Sequence, residues 1–118
     1  MLANKNRLKK RKEFNYIYKN GEYSACKTLS IIYCKSYKKP IKVGFSVSAK
    51  IGNAVTRNLI KRRMREVIKG VIPSLNNNYN YIIVARKGVE ENTYSEIQKS
   101  IIYCLNKAGL LKRNEEKN

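Results

Sequence analysis

The stretch IKVGFSVSAKIGNAVTRNLIKRRMREVIKG, residues 41–70, changes its hydrophobic period once, from two to about 3.6. Ile41, Val43, Phe45 and Val47 alternate with Lys42, Gly44, Ser46 and Ser48. That alternation reads as a strand with one buried face and one small, polar face. A loop follows at 49–52, and Asn53 is a good N-cap for a helix running from about Asn53 to Lys69. Gly70 and Pro73 mark its end. Farther on, residues 80–86 carry the run Tyr81-Ile82-Ile83-Val84-Ala85, typical of a central strand. A strand–helix–strand passage of this length suggests a crossover between parallel strands, which commits the chain to helices packed on a sheet.

Outward from that stretch the elements are shorter. Arg11 to Asn20 reads as a helix with Phe14, Ile17 and Tyr18 at i, i+3 and i+4, stopped by Gly21. Thr28 to Tyr37 is rich in β-branched and aromatic residues and reads as a strand, and Lys38-Lys39-Pro40 makes the turn after it. Asn76-Asn77-Asn78 is a loop and Lys87-Gly88 a turn. A last helix is expected from about Thr93 to Lys107, with Ile97, Ile101, Cys104 and Leu105 on one face. The order is helix, two or more strands, helix, strand, helix; with three strands ahead of the basic helix it becomes α-β-β-β-α-β-α. The fold class is α+β, a small α/β sandwich on a mixed sheet. The 118 residues make one domain, 1–118, with flexible ends at 1–8 and 109–118. No internal repeat is present.

Charge narrows the function. Lys plus Arg is 26 against 8 acids, a formal net charge of +18. Such a charge opposes compaction unless a counter-charge arrives, and nucleic acid is the usual one. The cations are clustered: six of the eight residues from Lys5 to Lys12, and five of the nine from Arg57 to Arg65. The chain has no His, no Asp and no Trp; every acid is Glu. Metal-dependent nucleases need clustered carboxylates, and metal-free ones usually rely on His. Neither set is available, so any chemistry is performed by something else, and no metal ligand or catalytic residue is assigned. Cys26, Cys34 and Cys104 form no CxxC pair, which is neither a zinc site nor a disulfide framework. An odd number of free thiols fits the cytosol. No apolar stretch is long enough for a signal peptide or a membrane span, so a cytoplasmic protein without a membrane partner is expected.

At about 100° per residue along the basic helix, Ile60, Met64, Val67, Ile68 and Val71 fall within one arc of about 100°. Asn58, Lys61, Arg62, Arg65 and Lys69 fall in the neighbouring arc, with Arg57 at the boundary. The core therefore fixes where the cations point, as a positioned phosphate-binding row requires. Arg adds planar, forked donors that match phosphate oxygens. The competing reading is a solvated face stabilised by ion pairs, but Glu66 is the only acid in this helix.

These residues resemble a known family. Lys50-Ile51-Gly52-Asn53-Ala54-Val55, then Arg57-Asn58, Lys61-Arg62 and Arg65, resemble the signature of the bacterial ribonuclease P protein component. Asn6-Arg7-Leu8-Lys9-Lys10 with Phe14 and Tyr18 is similar to that family's N-terminal segment. Residues 43–48 and 81–86 resemble its strands, so the likeness covers most of 6–105 in order. One departure is Leu59, where the family usually has Arg; Arg63, one turn on, could return a cation to that side.

The resemblance implies a protein that binds a catalytic RNA and the 5′ leader of precursor tRNA and assists removal of the leader. It implies that the RNA subunit holds Mg²⁺ and cleaves the bond, that the protein alone binds no cofactor, and that one RNA pairs with one protein. It also implies a left-handed crossover through the basic helix. Phe14, Tyr18 and Tyr33 match the family's aromatic leader cleft, the last only after one inserted residue in the preceding loop. Lys50, Arg57, Asn58, Lys61, Arg62 and Arg65 match its RNA-contacting positions, and Gly52 and Asn53 shape the turn into the helix. Three readings compete with this one: a ribosomal or other structural RNA-binding protein, a free-standing nuclease using Glu and Lys, and a DNA-binding module. The last lacks a helix-turn-helix pair or zinc spacing.

Overall fold

Short apolar strands and three amphipathic helices set the element order. A computed structural model describes residues 2–112. The first helix, α1, is Arg11–Asn20. The strands β1 (Glu22–Ala25), β2 (Leu29–Lys35) and β3 (Val43–Ser46) follow. Then come α2 (Ala54–Val71), β4 (Tyr79–Ala85) and α3 (Tyr94–Lys107). The sheet order is β1-β2-β4-β3. β2 is antiparallel to β1 and β4, while β3 runs parallel to β4, so the sheet is mixed and α2 makes the crossover.

Period-two alternation sends the two sets of strand side chains to opposite faces. Leu29, Ile31, Val43, Ile83 and Ala85 share a core with Ile60, Met64, Val67 and Ile68 of α2 and Ile97, Ile101, Cys104 and Leu105 of α3. Cys34 and Ile82 point the other way and are covered by Leu8 and Ile17 with Phe14. Two helices therefore cover one face and α1 the other. Burial pushes the Cys104 thiol up to about 12, so it remains a neutral core group.

β2 and β3 are shorter than their sequence patterns. β3 pairs with β4 only from Val43↔Tyr81 to Ser46↔Val84, although Ile41 and Val47 still point into the core. The small face of β3 has a use beyond polarity: the Phe14 ring packs where a Gly44 side chain would be. α2 runs through Gly70 to Val71 and gives way at a turn, Ile72–Ser74, that contains Pro73. Gly70 has no positive φ, so it continues the helix, and the proline ends it.

Several described residues within the ends expected to be flexible, 1–8 and 109–118, are packed or bridged. Leu2, Asn6 and Leu8 are buried, and the Asn6 side-chain amide donates to the Ile41 carbonyl at 2.8 Å. Arg7 bridges to Val43, which lays the N-terminal segment along the β3 edge. Leu110 is buried and Leu111 bridges to Leu75; residues 113–118 lie outside the described residues. Among the described residues no helix is long and apolar enough to cross a membrane.

α3 opens with a capping box: the Thr93 hydroxyl accepts from the Glu96 amide, and the Glu96 carboxylate accepts from the Thr93 amide. Thr93→Ala removes one half of it and is expected to cost about 1 kcal/mol. A urea midpoint lowered at constant m-value would record that loss.

Candidate nucleic-acid interface

The turn into α2 is held locally. The Asn53 side chain accepts from the Thr56 amide at 2.9 Å, and Gly52 lies against Thr56, whose Cγ2 would be 3.1 Å from an added Cβ. Arg57 Nε donates to the Gly52 carbonyl at 3.1 Å, which ties the first cation of the row to that turn. Gly52 and Asn53 thus occupy the turn that the sequence assigned to them.

The buried stripe of α2 is Ile60, Met64, Val67, Ile68 and Val71, as its periodicity requires. Lys50, Asn58 and Arg62 are exposed, and Arg57, Lys61 and Arg65 half-buried. None of the six is hidden beneath other side chains. Among the described residues the ion pairs are Lys42–Glu13 and Lys87–Glu90, and neither uses a cation of the row. An open groove of about 760 Å³ runs along α2, lined by Val55, Asn58, Leu59, Arg62, Arg65 and Glu66. Arg65 carries its guanidinium 5.8 Å from the Phe45 ring centroid. Partial burial, and then the nearby Arg7, lower its pKa.

Leu59 leaves an apolar spot in this groove, and Arg63 does not replace the cation. Its Nη1 donates to the Asn92 carbonyl at 2.8 Å, so it clips α2 to the loop before α3 instead. Helical geometry explains this: Arg63 lies on the opposite flank of the buried stripe from Arg65.

On the other face of the sheet, α1 presents Phe14 and Tyr18, with ring centroids 6.5 Å apart. Tyr18 is 46% exposed. The Glu13–Lys42 ion pair marks one flank of α1, and Phe14 and Tyr18 lie toward the other. There the sheet floor is Ser30, Val84 and Ser46, a paired row of half-exposed residues. Half-buried Phe14 and exposed Tyr18 thus flank this strip of sheet and make it the aromatic cleft of this face.

Tyr33 does not join it. Strand parity places Tyr33 with Leu29 and Ile31 on the α2–α3 side, where its ring meets Tyr79 edge-on at 5.7 Å. Burial, and then the Glu22 carboxylate, raise its hydroxyl pKa. The neighbour of Tyr33 that faces the α1 side is Ile32, on the same face of β2 as Cys34. The inserted residue that Tyr33 needed was the available signal, because a one-residue slip exchanges the faces of a strand. Sequence reasoning counted Arg7 only within the N-terminal basic run and gave Phe45 no site role; both line a smaller pocket with Lys9, Phe14 and Arg65. Phe45 reads as core, and nothing in its period reveals that its ring supports a guanidinium.

Among the described residues no three of His, Cys, Asp and Glu gather closely enough to hold a metal ion. The site offers fixed cations, amide and hydroxyl groups and aromatic faces. Those groups can bind a phosphate backbone and stack bases.

Comparison with known proteins agrees with this chemistry. The Ribonuclease P family model matches residues 2–109. The ribonuclease P protein component of Streptococcus agalactiae is 41% identical over 105 residues, covering 89% of this chain and 95% of that protein. The solved RNase P protein of Staphylococcus aureus superposes with a TM-score of 0.84 at 33% identity, covering 91% of this chain and 98% of that one. The RNase P protein of Thermotoga maritima shares the fold, with a TM-score of 0.78 at 21% identity over 86% of this chain and 96% of its own.

Proposed function

The chain belongs to the ribonuclease P protein family, and from that premise we propose that it grips the single-stranded 5′ leader of precursor tRNA while docked on a catalytic RNA. The observation that carries the proposal is a row of cations whose direction is fixed by the core of α2. Lys50, Arg57, Lys61, Arg62 and Arg65 contact phosphates of the leader or of the RNA subunit, and the Asn58 amide adds a neutral donor. Phe14 and Tyr18 stack leader bases without choosing sequence. Tyr33 has no part in this cleft.

The protein's contribution is electrostatic and positional. Two RNAs brought together repel each other, and a shared cationic surface lowers that cost. Mg²⁺ belongs to the RNA subunit, which breaks the phosphodiester bond; the protein holds the substrate and favours metal binding indirectly. One protein acts with one RNA in the cytoplasm.

Reconstitution tests this. Adding the protein to a ribonuclease P RNA at low Mg²⁺ is expected to accelerate leader removal, and the RNA-free protein is expected to leave precursor tRNA intact. No acceleration would favour a structural RNA-binding protein, and cleavage by the protein alone would favour a nuclease.

A further inference from the structure

The aromatic cleft and the cationic row lie on opposite faces of one sheet. A single RNA strand that uses both must turn round an edge of that sheet. The edges are β1 and β3. On α2 the row cations lie on the flank toward β3, since Arg65 reaches Phe45 of that strand. The opposite flank faces the loop before α3, through Arg63.

At the β3 edge the N-terminal segment runs alongside the sheet, with the Leu8 amide donating to the Val43 carbonyl at 3.0 Å. A pocket of about 180 Å³ opens there. Phe14 reaches it from α1 and Arg65 from α2, so it joins the two surfaces. Arg7 and Lys9 supply further cations, and among the described residues no carboxylate lines it. Both guanidiniums are anchored: Arg7 Nε donates to the Leu2 carbonyl at 3.1 Å, and Arg65 rests against the Phe45 ring. Like charges held together without a carboxylate between them are a cost that an anion relieves. Forked guanidiniums suit the oxygens of a phosphodiester.

We propose that Arg7 and Arg65 pinch one phosphodiester of a single-stranded RNA at the β3 edge, so that the strand passes from the α1 cleft to the α2 row. Phe45 is a positioning residue that holds the Arg65 guanidinium plane. This rests on the RNA-binding reading above and extends it to Arg7 and Phe45.

The test is a double-mutant cycle on the full-length protein, with a labelled twelve-nucleotide oligouridylate as probe and affinity measured across a salt series. Because the phosphate is held only when both guanidiniums close on it, Arg7→Gln and Arg65→Gln are each expected to weaken binding several-fold and to flatten the log–log salt slope by about 0.7, the value of one single-strand phosphate contact. Because they share a phosphate, the double variant is expected to lose less than the product of the single losses. Arg7→Gln combined with Lys50→Gln is expected to lose the full product. Multiplicative losses for Arg7 and Arg65 would put them on separate phosphates and overturn the pinch. So would an unchanged slope in Arg7→Gln with a native melting temperature. Where Arg7→Gln fails to fold, Arg7→Lys replaces it: the pinch requires weaker binding at an unchanged slope, and full wild-type affinity overturns it. Failure of the wild-type protein to bind the probe or to assist a ribonuclease P RNA would instead remove the broader reading.

Discussion

Raising monovalent salt from about 50 to about 200 mM is expected to weaken binding of an unstructured single-stranded RNA about 100-fold. Of the five row cations, Lys50 and Arg62 are exposed and Arg57, Lys61 and Arg65 half-buried, and none forms an ion pair among the described residues. Five phosphate contacts on a single strand give a log–log slope of about −3.5, and a fourfold rise in salt then produces that loss. Fluorescence anisotropy over a salt series measures the slope. A chain of net charge +18 attracts any polyanion to some degree, so the slope alone does not establish a row. Location does. Lys61→Gln with Arg62→Gln is expected to flatten the slope by about 1.4. Lys27→Gln with Lys99→Gln removes the same charge from exposed positions on other elements and is expected to leave it unchanged. Equal flattening by the two pairs would mean diffuse attraction, and the positioned row would be lost.

What the sequence made legible was periodic and local. The bounds of α1 agree with the pattern at both ends, because three apolar residues fall within its ten residues and a glycine stop follows directly. The stripe of α2 agrees residue by residue, because an eighteen-residue helix samples its own period several times. β1 is four residues, Glu22–Ala25, with only Ser24 buried, and offers no such signal. Its existence depends on pairing with β2. Tyr33 failed for a different reason: it sits in a strand as expected, but matching an aromatic across an inserted residue discarded the parity that assigns faces. The N-terminal segment failed because Leu2, Asn6 and Leu8 are buried by partners distant in sequence, without period of their own. The pocket at the β3 edge follows from that burial. A segment read as a free basic arm could not have been assigned a fixed Arg7.

Gly44→Ala is expected to separate the packing role of Phe14 from its binding role. Gly44 is buried in β3, and an added Cβ would lie 2.4 Å from Phe14 Cζ, 2.6 Å from its Cε1 and 3.1 Å from Leu8 Cδ2. Nothing in the Gly44 backbone forbids alanine, since its φ is not positive. The methyl group must therefore displace the ring, and overpacking of this kind costs about 1–3 kcal/mol. A lowered urea midpoint would show it. Displacement also removes one stacking face from the cleft, which is worth about 1–3 kcal/mol per base and corresponds to roughly a 5- to 150-fold loss in single-stranded RNA affinity. No phosphate contact is touched, so the salt slope is expected to keep its wild-type value. That combination, lower stability and lower affinity at constant slope, is what a ring serving both the fold and the leader must produce. If stability falls and affinity does not, Phe14 is packing alone, and Tyr18 is left as the only aromatic wall of the cleft.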